Sequence, residues 1–236
     1  MTDADPRPYL AAAAAGLTYN APLGAERAAD LVRRLAPTRP GWRALDLGCG
    51  NGELLLRLCA THGIAGDGVE RDADAGTRAR RRAVELGVAD RVTFHSGEGD
   101  TWDRPADLVV NVGAGHIWGD TGQALAALHR LTAPGGRLLF AGGFYQADPG
   151  DQVRETFGEL PGLAGLAQLT VDAGFRPLHV AASTLAEWDD FESDWRAGIE
   201  RLGTPDARAF ADRRRDEYLD GYRDVLGFGW LILTPA

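Results

Sequence analysis

Residues 44–58 read ALDLGCGNGELLLRL. Three alternating glycines, Gly48, Gly50 and Gly52, stand between two apolar runs, and Asp46 lies two residues before the first of them. The run before the glycines reads as a buried strand and the run after them as a helix. Glycines at such a junction let the backbone approach a ligand at the helix N-terminus. The spacing is G-x-G-x-G, and Glu53 occupies the position where a dinucleotide fingerprint, G-x-G-x-x-G, needs its last glycine. Asp46 argues the same way. Two like charges about 4 Å apart near a protein surface repel by about 4 kcal/mol, so a carboxylate is a poor neighbour for a pyrophosphate. A phosphate-free nucleoside with a cationic end fits better, and S-adenosylmethionine (SAM), with its ammonium and sulfonium, is such a molecule.

Outward from this turn the chain alternates short β-rich runs with helical ones, the pattern of an α/β sheet. Helices are expected at 22–35, 52–62 and 72–86, the last capped by Asp72 and closed by Gly87. Strands are expected at 42–47, 64–70, 91–96, 106–112 and 137–143, with a helix at 123–131 stopped by APGG. Further on, a helix at 162–173 precedes a strand at 175–183, two helices at 185–202 and 205–226, and a closing strand at 227–235. The expected organisation is one domain over 1–236, with an N-terminal helical cap (1–36), a ligand-binding core (42–143) and a helical lid insertion (185–226).

The 236 residues suffice for one substantial core, and 44% hydrophobic residues fit a globular chain. A net charge of −9 disfavours nucleic acid, which needs clustered Lys and Arg. The basic runs at Arg78 to Arg82 and Arg213 to Arg215 fall in helical patterns and read as solvated faces. No run approaches the roughly 20 apolar residues of a membrane span. LAAAAAG (10–16) lacks the basic start of a signal peptide and reads as a helix. Two cysteines, Cys49 and Cys59, make no disulfide framework, so the expected compartment is the cytoplasm. No metal-ligand spacing is present, and no metal is expected. The Arg-rich, Ala-rich usage is that of a GC-rich, bacterial genome.

ALDLGCGNGELLLRL resembles the first motif of the class I SAM-dependent methyltransferases, and the resemblance extends along the chain. It implies a Rossmann-like α/β fold, a seven-stranded mixed sheet with helices on both faces and an antiparallel last strand. It implies SAM as cofactor. Glu70, ending GDGVE, takes the place of the acid that bonds both ribose hydroxyls, and Arg71 follows it. VTFHSGEGD places Glu98, between Gly97 and Gly99, near the adenine amino group, with Asp100 as competitor. ADLVVNVGAGH resembles the segment lining the transfer site and brings in Asn111 and Gly113. With Asp46, Gly48, Cys49, Gly50 and Gly52 these complete the expected cofactor contacts. LTYNAPLGAERAADLV, EWDDFESDW and GFGWLIL resemble a small-molecule bacterial subgroup.

Methyl transfer needs alignment and water exclusion more than a dedicated base. His116, just past the fourth strand, is the first catalytic candidate, the alternative being a loop anchor. Tyr19, beside Asn20, can close over the cofactor or merely pack, and Tyr145 can face the acceptor or pack. Trp188, Phe191 and Trp195 share helical spacing, as do Tyr218, Tyr222 and Val225, and read as a core stripe, the alternative being that some of them form the acceptor pocket. The acids Glu187, Asp189, Asp190, Glu192 and Asp194 are expected to face solvent, with one or two able to receive an amine. The expected partner is a small-molecule substrate, with neither nucleic acid nor membrane, and a homodimer stays open. The expected function is methylation of a small organic acceptor in bacterial secondary metabolism. The alternatives are a non-methylating reaction of SAM, such as ring closure with release of methylthioadenosine, or a non-catalytic SAM-binding subunit.

Overall fold

The computed structural model describes residues 5–236. Seven strands form one sheet: β1 (Arg43–Leu47), β2 (Ala65–Glu70), β3 (Val92–Ser96), β4 (Ala106–Val112), β5 (Thr132–Tyr145), β6 (Phe175–Ala182) and β7 (Leu226–Pro235). Their order is β3-β2-β1-β4-β5-β7-β6. β1 to β5 pair in parallel, and β7 runs antiparallel to both β5 and β6. The sequence order reverses between β1 and β4, a crevice at the strands' carboxyl ends where open α/β sheets bind ligands.

Side-chain alternation along the strands builds two cores. Ala44, Val110, Leu139 and Trp230 face one side, against α2 (Ala25–Arg34), α3 (Glu53–His62) and α4 (Ala73–Glu85). Leu45, Val109, Leu138 and Leu231 face the other, against α5 (Thr121–Leu131) and α7 (Leu163–Asp172). Local caps fix the helix starts: the Asp72 carboxylate accepts from the Asp74 N–H, and Asp120 forms a capping box with Gln123.

Three expectations change. The APGG stop lies within the bounds of β5: Ala106 pairs with Thr132 and Leu108 with Arg137, so residues 133–136 loop out of the ladder. A short helix, α6 (Gly150–Phe157), was not foreseen. The expected long helix at 205–226 is α9 (Pro205–Asp216) followed by a π-helical turn, Glu217–Tyr222. In that turn the hydroxyls of Tyr218 and Tyr222 bond to Asp189 and Glu192 of α8 (Leu185–Glu200). Holding both phenols on α8 is the tertiary demand that the regular helical pattern does not reveal.

The alanine run forms α1 (Arg7–Gly16), which packs on α8. A Cβ on Gly198 of α8 would lie 2.7 Å from the Ala12 carbonyl oxygen and 2.9 Å from Ala13 Cα. Small residues on both helices are what permits this approach. Among the described residues no helix is long and apolar enough to cross a membrane.

Candidate active site

The glycine turn after β1 opens onto a cleft of about 300 Å³. Gly48, Gly50 and Gly52 have φ of +76°, +53° and +72°, the left-handed region that glycine enters without steric cost. Gly48 is the tightest of them: an added Cβ would lie 2.5 Å from that of Ala114. The N–H groups of Gly48 and Cys49 both donate to the Val69 carbonyl at 2.9 and 3.1 Å, which locks the turn to the end of β2.

Glu70, the last residue of β2, is held by two backbone donors. One carboxylate oxygen accepts from the Gly50 N–H at 2.9 Å and the other from the Asp72 N–H at 2.9 Å. Each oxygen keeps a second lone pair, so the carboxylate is fixed in direction and can still accept. Asp46 is different. It is 4% exposed, lines the cleft and meets no hydrogen-bond donor or cation among the described residues. Burial, with the Glu70 charge nearby, pushes its carboxyl up to about 8. A buried carboxylate without a partner is stabilised by a cationic ligand and opposed by a phosphate.

Arg71, Gly97, Glu98, Gly99, Gly113 and His116 also line the cleft, as do Tyr19 and Cys49. Glu98 lines it and Asp100 does not, which separates the two competitors by position. His116 stands in a short 3-10 turn (Gly115–Trp118) that follows β4. The Tyr19 hydroxyl is buried and has no hydrogen-bond partner, and burial raises its pKa. At neutral pH it is therefore a hydrogen-bond donor rather than a base. Burial, with Asp46 and Glu70 close by, holds the Cys49 thiol well above its ordinary range and makes it a poor nucleophile.

Two expected residues lie elsewhere. Asn111 is fully buried beneath the crevice, where its Nδ2 donates to the Leu47 carbonyl at 3.0 Å and ties β4 to β1. It does not line the cleft, because its position on β4 turns it into the sheet. Tyr145 is also absent from the lining, and its hydroxyl donates to the Gly158 carbonyl at 2.7 Å. The extra residues of β5 carry it past the crevice, where it fastens the loop after α6.

The acids of α8 are a third correction. Glu192 is fully buried and takes two hydrogen bonds from Arg214 (2.9 and 2.8 Å) and one from Tyr222 (2.8 Å). Asp189 is bonded by Arg223 and Tyr218, and Glu187 by Arg27, by the Gly24 N–H and by its own helix cap. Of the five acids expected to face solvent, Asp190 and Asp194 do so. An amine substrate would have to displace an arginine to reach the other three.

Of the strap between α1 and α2 the sequence marked only Tyr19 and Asn20. Thr18, Tyr19, Asn20, Ala21 and Leu23 all line the cleft. Asn51, inside the glycine turn, contacts α1, and Ile117 lies under both turns: a Cβ on Gly48 or Gly99 would come within 3.4 or 3.3 Å of its Cδ1. Asn51 was visible as a polar residue between glycines, but nothing local marks a partner more than 30 residues away.

The fold and this cleft define a class. A family model described as "Methyltransferase domain" matches residues 44–136. The uncharacterised protein YjhP of Escherichia coli K12 is 32% identical over 183 residues, 73% of this chain and 72% of that protein. Its crystal structure superposes with a TM-score of 0.88 at 26% identity, covering 97% of this chain and 99% of YjhP. A SAM-dependent methyltransferase from Geobacter sulfurreducens, solved with S-adenosyl-L-homocysteine, gives 0.89 at 27% identity with both chains fully covered. The 27-O-demethylrifamycin SV methyltransferase of Amycolatopsis mediterranei is 31% identical over 115 residues, 48% of this chain and 42% of that enzyme. The chain belongs to the class I SAM-dependent methyltransferase family. SAM is the cofactor of that family, and the unpartnered Asp46 and the phosphate-averse turn fit it.

Proposed function

We propose that the methyl acceptor is a small organic molecule of bacterial secondary metabolism, enclosed with SAM beneath the N-terminal strap. The observation that carries this reading is the strap itself: residues from Thr18 to Leu23 form one wall of a cleft of about 300 Å³. A cleft roofed by its own chain suits a small substrate better than a polymer, and the net charge of −9 disfavours nucleic acid further. The rifamycin-modifying relative supports the same class of acceptor.

In this reading Glu70 receives the ribose hydroxyls, Glu98 approaches the adenine amino group and Asp46 faces the cationic end. The chemistry that SAM brings is a methyl group on a sulfonium, open to in-line displacement. The chain's task is to align the nucleophile, with the strap excluding water. Leu23, Val112 and Ile117 give the cleft an apolar side. In this reading His116, in the turn after β4, accepts a proton from the acceptor. The cytoplasm is the proposed compartment.

The test is incubation with SAM, with and without a panel of small metabolites, reading S-adenosylhomocysteine and methylthioadenosine separately. S-adenosylhomocysteine formed only with an acceptor supports the proposal. Methylthioadenosine formed from SAM alone overturns it in favour of ring closure, and SAM binding with no turnover at all in favour of a binding subunit. With an acceptor in hand, His116→Ala should lower kcat far more than SAM affinity, by about 10²-fold or more if it acts as the base. Loss of affinity with kcat intact would make it a loop anchor.

A further inference from the structure

Asn51 sits between Gly50 and Gly52, yet its side chain serves another part of the molecule. Its Nδ2 donates to the carbonyls of Ala14 at 3.1 Å and Leu17 at 3.0 Å, at the C-terminal end of α1. Its Oδ1 accepts from Nε of Arg78 on α4 at 2.8 Å. The Ala14 carbonyl has only a long bond from the Leu17 N–H, at 3.3 Å, and α1 has no basic residue in its last turn to cover the end of the helix. A single amide from the glycine turn does so, spending both of its N–H groups.

The strap begins where this amide holds it. Its far end is fastened to the insertion: Ser183 Oγ donates to the Pro22 carbonyl at 2.6 Å, and the Gly24 N–H donates to Glu187 at 3.1 Å. α1 packs on α8, whose Glu187 also holds the far end of the strap, so α1 and α8 form one cap to which both ends of the strap are tied. The Ser183 and Glu187 fastenings lie within that cap and its neighbours. Asn51 instead joins the cap to the turn whose conformation the cofactor reads.

We propose that Asn51 is a positioning residue that couples occupancy of the glycine turn to closure of the 18–23 strap. It lines the cleft, but its amide is taken up by Ala14, Leu17 and Arg78. A ligand that steadies the turn steadies the Asn51 amide, and with it the end of α1 from which the strap departs. Opening the strap for release requires both Asn51 N–H bonds to break. This inference rests on the SAM assignment of the cleft.

S-adenosylhomocysteine is the probe. Wild-type protein is first tested for binding by calorimetry, and failure there removes the SAM assignment rather than the coupling. Stopped-flow kinetics and hydrogen exchange, with and without the probe, are then compared for Asn51→Asp. That variant keeps the acceptor for Arg78 and turns both donors into an acceptor facing two carbonyls. The expected result is a koff raised at least tenfold with kon within threefold of wild type. Residues 17–23 should lose their probe-dependent protection, while residues 65–70 of β2 keep theirs. A koff within twofold of wild type, with protection of 17–23 intact, overturns the proposal. Asn51→Ser retains one donor and should fall between; it serves if Asn51→Asp folds poorly. If both variants lower Tm and loosen β1 and β2 uniformly without changing koff, Asn51 is only a helix cap and the proposal fails.

Discussion

The cleft and the helical insertion both bury charged and phenolic groups, but they treat them in opposite ways. In the insertion every such group is matched: Glu192 has Arg214 and Tyr222, and Asp189 has Arg223 and Tyr218. In the cleft Asp46 and the Tyr19 hydroxyl have no partner among the described residues. Burying a polar group without a hydrogen bond costs free energy. A fold that satisfies its acids in one region and leaves one unsatisfied in another separates structural charge from binding capacity. The acid-rich motif EWDDFESDW holds the insertion together, whereas the single acid of ALDLG lines the cleft without a partner.

The largest expected effect tests the structural half of this contrast. Glu192→Ala leaves Arg214, whose side chain is 24% exposed, without its counter-ion. Breaking a buried pair by removing one partner costs about 3–5 kcal/mol. Chemical denaturation should show that loss, while S-adenosylhomocysteine affinity of the folded fraction stays within about twofold. A large loss of affinity with stability intact would move the insertion's acids into the site.

Glu70→Ala reverses the pattern. A hydrogen bond to a charged group contributes about 1.5–3 kcal/mol, so SAM should bind at least about tenfold more weakly by calorimetry. Unchanged affinity would remove Glu70 from the ribose position.

Asp46 gives a pH signature. Its carboxyl titrates near 8 in the free protein, above the ordinary carboxylate range, so the folded state binds its proton more tightly than the unfolded chain does. The stabilisation that the protonated form gives is therefore complete below about pH 4 and is lost as pH rises toward 8. A cationic ligand favours the ionised form, so affinity should rise with pH up to about 8, by at most tenfold per unit. Asp46→Asn should raise Tm at pH 8 and above and flatten that rise. Taking the ratio of the two proteins' affinities from pH 6 to 9 cancels the ligand's own titration, and a flat ratio would exclude the coupling.

The smallest effect is that of Tyr145→Phe. One partly exposed hydrogen bond to Gly158 is lost, about 0.5–1.5 kcal/mol of stability. SAM affinity and turnover should not change, and a fall in kcat would restore Tyr145 to the acceptor site.

Much of the binding half was legible because it is local. The glycines, Asp46 and Glu70 lie within 25 residues of one another along a strand-turn-helix-strand path whose periods are readable. Asn111 misled because residues alternate across a strand: it shares a segment with Gly113 but points into the sheet. Tyr145 misled because β5 runs past the end of β4, paired there with β7, a strand some 80 residues further along the chain. The α8 acids misled because charge on a helix reads as solvent exposure until a second helix brings arginines to it.

By itself, then, the sequence determined the alternating α/β fold, the strand that carries Asp46 and the preference for a phosphate-free cationic nucleoside. These follow from hydrophobic period, glycine conformation and the sign of one charge, all properties of neighbours in the chain. Only the tertiary structure decided that the alanine-rich α1 docks on α8, that the strap walls the cleft and that Asn51 joins cap to turn. Those contacts run from 34 residues of chain, between Leu17 and Asn51, to 186, between Ala12 and Gly198. Hydrogen bonds and close packing at such separations depend on where the sheet carries each element, and no local pattern encodes that.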